Sequence, residues 1–339
     1  MRAVRRWCGL AFLLVGCSAQ PDAPVASPDA KIAASGDAGA TDDAGAPVQP
    51  DPSPDLATPA PLPIVLVHGL AGWAKLGTLD YFYGVPDALR ATGRKVYVPA
   101  LDMFNGSEAR GQRLLEVIAQ ARAETGAPRV VLIGHSQGGL DARWAIARAQ
   151  GGVAALVTIG TPHRGTPIAD LALGLTPGPA QAAASAVLGL VGGALDPSGM
   201  PNADLNASLT TLSVAHAAAF NAANPDVAGV AYYSIAGRSA GRDAASCPPS
   251  GPPFIQALDG TTDELDGLLL APGGLLTIAE LPSTAPNDGL LTVESARWGT
   301  FLGCIPADHL NEICQPNGGP FDCRALYLGL EAWLRQQGF

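Results

Sequence analysis

Three short apolar runs frame the chain: Leu62-Pro63-Ile64-Val65-Leu66-Val67, Val130-Val131-Leu132-Ile133 and Leu156-Val157-Thr158-Ile159. They are rich in β-branched residues and lack the alternation of a half-exposed strand, so they predict strands of a parallel sheet covered on both faces. The first runs into the loop His68-Gly69-Leu70-Ala71-Gly72-Trp73, at the carboxyl end of a strand, where open α/β sheets place their ligands. The second runs into Gly134-His135-Ser136-Gln137-Gly138 and then a helix-like stretch; the third runs into Thr161-Pro162-His163-Arg164-Gly165. A further helix is expected at the C-terminus, after His309. Residues 61–339 therefore predict one large α/β domain with a mostly parallel central sheet flanked by helices. Between 166 and 225 lies an Ala/Leu/Gly-rich insertion whose segment Ala183 to Leu195 suits an amphipathic helix and is too short to cross a membrane.

The N-terminus has a different character. Arg2, Arg5 and Arg6 precede the apolar stretch Trp7 to Val15, the basic and hydrophobic regions of an export signal. Its ending, Leu14-Val15-Gly16-Cys17, resembles the lipobox of bacterial lipoproteins, which implies a signal peptide of residues 1–16 and lipidation of Cys17. Residues 17–60 then read as a tether. They contain no aromatic residue, and seven aspartates face the single Lys31, a composition that cannot bury enough apolar surface to order itself. The expectation is an exported protein, membrane-anchored through Cys17 or secreted.

The whole chain carries a formal charge of −10; with the +3 of the signal and the −6 of the tether set aside, residues 61–339 carry −7. A mildly acidic, Arg-poor surface argues against nucleic acid as a partner. Beyond Cys8 and Cys17 the cysteines are Cys247, Cys304, Cys314 and Cys323, an even set that favours disulfides in an exported protein. Of the three pairings available, Cys247–Cys304 with Cys314–Cys323 is preferred.

The pentapeptide around Ser136 is a G-x-S-x-G in strand–turn–helix context, where a sharp turn lifts the serine hydroxyl clear of the sheet. The chain also supplies an acid and a histidine in the order Ser, Asp, His. His309 lies late, before a final helix, and is the candidate general base. His135 is too close to Ser136 in sequence to reach it, and His68, His163 and His216 read as structural. Asp288, in Pro286-Asn287-Asp288-Gly289-Leu290-Leu291, is the candidate acid, although that sequence also suits a plain turn. Asp308 reads as a solvated or capping neighbour of His309, and Asp259, Asp263 and Glu264 are weaker alternatives for the acid. The backbone N–H groups of Leu70 and Gln137 are the natural donors to a developing oxyanion.

With these residues in place, the stretches Pro63 to Trp73, Leu79 to Gly84, Lys95 to Val98, Ile133 to Leu140, Ile159 to Gly165, Leu209 to Leu212 with Phe220-Asn221, Asn287 to Leu290 and His309 to Ile313 resemble the bacterial true lipases of family I, the calcium-dependent kind matured by a dedicated foldase. The resemblance implies the α/β-hydrolase fold with a helical lid, a triad of Ser136, Asp288 and His309, and Leu70 and Gln137 as oxyanion donors. It also implies a foldase partner, a lipid or ester substrate, and a structural calcium held by Asp266, Asn311, Gln315 and Gly319. Asn311 departs from the pattern by replacing a carboxylate with an amide, which weakens any calcium site. The cysteines depart as well: Cys247 matches roughly, while Cys304 is only the nearest substitute for its partner. Trp73 and Phe82 are candidates for the acyl-side wall or for plain core. The function expected is triacylglycerol hydrolysis, with an esterase or polyesterase, or a non-catalytic lipid-binding lipoprotein, as alternatives.

Overall fold

The computed structural model describes residues 60–72, 75–76, 79–175, 203–239, 247, 251–258, 269, 285–315 and 320–339. The chain divides into two units, Met1–Ala57 and Thr58–Phe339, and all described residues belong to the second. The signal, Cys17 and the tether lie outside them, as do Trp73 and the segment Ala183 to Leu195. Among the described residues no helix is long and apolar enough to cross a membrane.

The three apolar runs form strands β1 (Ile64–Val67), β5 (Val130–His135) and β6 (Val153–Ile159), buried along their whole length. Short strands β2 (Lys75–Leu76) and β3 (Leu79–Asp80) form a separate antiparallel pair. Strands β4 (Val96–Tyr97), β7 (Ala231–Gly237) and β8 (Thr300–Ile305) complete a six-stranded sheet in the order β4-β1-β5-β6-β7-β8, parallel throughout. Successive side chains of a strand face opposite sides. Ile64, Leu66, Val131 and Ile133 accordingly join one core with α1 (Val85–Ala91) and the C-terminal helix α9 (Cys323–Gln336). Val65, Val67 and Leu132 join another with α2 (Ser107–Thr125) and α3 (Gln137–Ile146). Each such side chain contributes about 1.5–3 kcal/mol by leaving water, and that two-sided burial is why the runs show no alternation.

From β1 the chain turns to β4 on one side and then to β5 and onward on the other, so the order reverses at β1 and β5. The crevice outside their carboxyl ends is where such sheets bind ligands, and it holds both Leu70 and Ser136. The insertion contributes α4 (Pro167–Ala172), α5 (Leu205–Leu212) and α6 (Val214–Ala223) among the described residues. Short helices α7 (Pro253–Gln256) and α8 (Val293–Ala296) precede β8. The disulfides are Cys247–Cys304 and Cys314–Cys323, the preferred pairing.

Candidate active site

Ser136 ends β5 and begins α3 with φ 54° and ψ −131°, a left-handed conformation in a non-glycine residue. Strain of this kind costs on the order of 1–3 kcal/mol and persists only where the surroundings fix it. The flanking glycines act by close approach: a Cβ on Gly138 would lie 2.2 Å from the Val67 carbonyl oxygen, and one on Gly134 would lie 2.7 Å from Gly139. The Ser136 N–H donates to the Ile159 carbonyl at 3.0 Å, and the residue is 9% exposed.

Asp288 and His309 meet although 21 residues separate them, with His309 Nδ1 2.7 Å from Asp288 Oδ2. The two carboxylate oxygens of Asp288 have different partners. Oδ1 accepts from the Leu290 and Leu291 N–H groups at 2.8 and 2.9 Å and shapes the turn, while Oδ2 faces the imidazole. The His309 N–H also donates to the Asp288 carbonyl at 2.9 Å. Asp308 corrects one expectation: it is a cap, with Oδ1 accepting from Leu310 and Asn311 N–H, but it is fully buried rather than solvated.

The loop after β1 is held by α2. Arg110, fully buried, donates through Nη2 to the His68 and Gly69 carbonyls, through Nε to Asp141 Oδ2 at 2.7 Å, and through Nη1 to the Asp102 carbonyl. The Asp141 carboxylate also accepts from Ser107 Oγ at 2.6 Å. Because the N–H of a trans peptide points opposite its carbonyl, holding the Gly69 carbonyl toward Arg110 turns the Leu70 N–H away from Arg110. Among the described residues, neither the Leu70 nor the Gln137 N–H donates to a backbone carbonyl.

Ser136 and His309 open on one cavity of about 210 Å³, walled on its apolar side by Ile168 and Ala169 of α4, Leu209 and Leu212 of α5, and Leu290. Phe82 is not part of it; at 1% exposure it packs edge-on against Tyr327 in the core.

Behind the imidazole is a group that the sequence did not reveal. Glu312 Oε2 lies 3.5 Å from His309 Nδ1 and 3.0 Å from His135 Nε2, while His135 Nδ1 is hydrogen-bonded to Tyr81 Oη at 2.8 Å. Burial, then the charges of Asp288 and Asp308, push the Glu312 carboxyl up; burial, then His309, pushes the His135 imidazole down, so that ring is neutral. The only sequence signal was a carboxylate three residues after His309 in His309-Leu310-Asn311-Glu312-Ile313, the spacing that shares one side of a helical turn. His135, His309 and Glu312 bring potential metal ligands within 4.8 Å of one another, but Glu312 Oε2 is already hydrogen-bonded to His135 Nε2 and His309 Nδ1 to Asp288 Oδ2.

The other histidines brace structure, as expected. His163 stacks on Trp298 at 5.2 Å and meets Thr158 Oγ1 at 3.0 Å; His216 Nδ1 lies 2.7 Å from Ser213 Oγ. His68 Nε2 accepts from the Leu101 N–H at 3.1 Å. Of the calcium ligands implied by resemblance, Asp266 and Gly319 lie outside the described residues, as do Asp259, Asp263 and Glu264. Asn311 is buried on the 3-10 turn Asn311–Ile313, and Gln315 donates through Nε2 to the Asp80 and Tyr81 carbonyls at 3.2 and 2.8 Å.

Burial, then the Arg110 charge, push the His68 imidazole from 6.5 down to about 3. The unfolded ring protonates near pH 6.5 and the folded ring only near 3, so stability from this group is full above 6.5 and is lost as pH falls toward 3. At pH 4.5 the loss amounts to about 2–3 kcal/mol. The stability gap between wild type and His68→Gln, measured by urea melts, is therefore expected to shrink by that amount between pH 7 and pH 4.5. An unchanged gap would mean that the ring is not held neutral.

A family model described as alpha/beta hydrolase fold matches residues 63–189. The chain is 34% identical over 279 residues to a triacylglycerol lipase of Vibrio cholerae, covering 74% of this chain and 79% of that one. A triacylglycerol lipase of Pseudarthrobacter phenanthrenivorans is 42% identical over 167 residues, 47% of this chain, and the match spans 52% of that relative's length. The mature form of Bacillus licheniformis lipase BlEst2 shares the fold, with a TM-score of 0.58 at 20% identity over 81% of this chain and 93% of that one. Sheet order, elbow and relatives agree: the chain belongs to the α/β-hydrolase family that includes these bacterial lipases.

Proposed function

We propose that this protein is a carboxylic ester hydrolase, and specifically a triacylglycerol lipase of the family I kind. The observation that carries the reading is one apolar cavity onto which a strained elbow serine and a carboxylate-bound histidine both open. Ser136 Oγ attacks the ester carbonyl carbon while His309 Nε2 takes its proton, and Asp288 Oδ2 accepts from Nδ1–H and stabilises the imidazolium. The N–H groups of Leu70 and Gln137 receive the oxyanion. The alcohol leaves with the proton from His309, and water, activated by the same imidazole, then releases the acid. The apolar wall of α4 and α5 suits an acyl chain. The names of the relatives support lipid esters as substrates.

The same reading includes export with lipidation at Cys17, a foldase partner, and a weak calcium at Asp266, Asn311, Gln315 and Gly319 that helps to hold the histidine loop. A test is hydrolysis of p-nitrophenyl esters from acetate to palmitate, and of emulsified triolein, with calcium and with chelator. Activity rising with chain length and reaching triolein is the expected result. Activity confined to short esters would replace lipase by esterase, and no turnover on any ester would overturn the hydrolase reading. Chelator-insensitive activity would remove the calcium.

A further inference from the structure

The segment from Leu101 to Ser107, which leads from β4 into the start of α2, exchanges hydrogen bonds in three directions. From the oxyanion side, the Ala71 N–H donates to the Met103 carbonyl at 2.8 Å, and the Leu101 N–H donates to His68 Nε2 at 3.1 Å. From the elbow, Gln137 Nε2 donates to the Asn105 carbonyl at 2.7 Å. From the insertion, Ser208 Oγ of α5 donates to that same carbonyl at 2.9 Å, the Asp204 N–H donates to the Phe104 carbonyl at 2.7 Å, and Thr211 Oγ1 accepts from the Ser107 N–H at 3.4 Å. The segment is itself stiff. Asn105 Nδ2 donates to Asp102 Oδ2, Asn105 Oδ1 accepts from the Gly106 N–H, and Arg110 holds the Asp102 carbonyl.

Two features give this arrangement direction. The other amide atom of Gln137, Oε1, is buried with no partner among the described residues, so the Asn105 carbonyl is the side chain's one hydrogen-bonded hold there. On α5, Leu209 and Leu212 wall the cavity while Ser208, fully buried, reaches Asn105. A single helix thus touches the acyl cavity with one set of side chains and the support of an oxyanion donor with another.

We propose that Ser208 is a positioning residue: it transmits the seating of α5 against a bound acyl chain to Gln137 through the shared Asn105 carbonyl, so that a long acyl group raises kcat by tightening the oxyanion hole. The proposal rests on the hydrolase reading above. It uses the general device by which binding energy from a non-reacting part of a substrate is realised at the reacting centre. A hydroxyl that merely packed α5 would alter KM for long esters and leave the chain-length dependence of kcat intact.

The test compares kcat and KM for p-nitrophenyl acetate and p-nitrophenyl octanoate in wild type, Ser208→Ala, Ser208→Cys and Ser208→Thr, with thermal melts to confirm folding. Inhibition by octylboronic acid, whose tetrahedral adduct places a negative oxygen in the oxyanion hole, is measured alongside. The expected result is an octanoate-to-acetate kcat ratio about fivefold lower in the Ala and Cys variants. Octylboronic acid should weaken by the same factor, KM should change less than twofold, and Ser208→Thr, which keeps the hydroxyl, should restore both. An unchanged kcat ratio in folded Ala and Cys variants, or a rise in KM alone, would overturn the proposal while leaving the hydrolase intact. Absence of turnover in wild type would instead bring down the parent reading.

Discussion

Converting Ser136 or His309 to alanine is expected to lower kcat for ester hydrolysis by about 10⁶-fold, and converting both is expected to cost no more than either alone. The proposed mechanism demands this non-additivity. In it His309 moves a proton to and from one hydroxyl, and without Ser136 that proton has no source; without His309 the Ser136 hydroxyl, on a backbone at φ 54°, is a poor nucleophile however well it is presented. What survives in every variant is the oxyanion pair and the cavity, worth about 10³–10⁴ over water. Asp288→Asn is expected to lose less, about 10⁴, because the imidazole persists in the wrong tautomer. Hydrolysis of p-nitrophenyl butyrate at equal concentrations of folded protein measures all four variants, and a double variant much slower than either single one would show that the two residues act separately.

Arg110→Ala is expected to destabilise the domain by about 3–5 kcal/mol, because it leaves the Asp141 carboxylate buried with no counter-charge. Burial already pushes that carboxyl up, and Arg110 is the first group that opposes it. The same substitution frees the His68 and Gly69 carbonyls, so kcat should fall together with stability. The two effects separate in Arg110→Met with Asp141→Leu, where an apolar pair of similar volume removes the stranded charge. Urea melts should then recover most of the lost stability while kcat stays low. Full recovery of kcat would show that the loop after β1 keeps its shape without the guanidinium.

How far the sequence could be read depended on how far apart the partners lie. The sheet was legible because Ile64 to Val67 and Val130 to Ile133 carry their burial in their own composition. Ser136 was legible because an elbow is a local structure, and Asp288 and His309 because order along the chain narrows the choice. Glu312 was missed because its partner His135 lies 177 residues away, and Arg110 because the carbonyls it orients belong to a loop 41 and 42 residues earlier. Asp308 was misjudged in environment because a carboxylate beside a loop histidine gives no sign that the loop folds inward over it. Ser208 had no signal at all: a serine in a helix 103 residues from Asn105 is unremarkable until the fold brings the two together.

The six-stranded sheet is parallel throughout, and this has a kinetic consequence. A parallel pair cannot be closed by a tight turn, so no two neighbours in this sheet form a hairpin that could zip up early. Ile64 must find Val131, Ala155 must find Ala231, and Tyr233 must find Thr300. Each meeting closes a long stretch of chain before its contacts are rewarded, which makes refolding slow and leaves the apolar strands open to one another in the meantime. Dilution from denaturant should yield aggregate in competition with native protein, more so as concentration rises, and any assistance the chain receives would act by keeping those strands apart until their distant partners arrive.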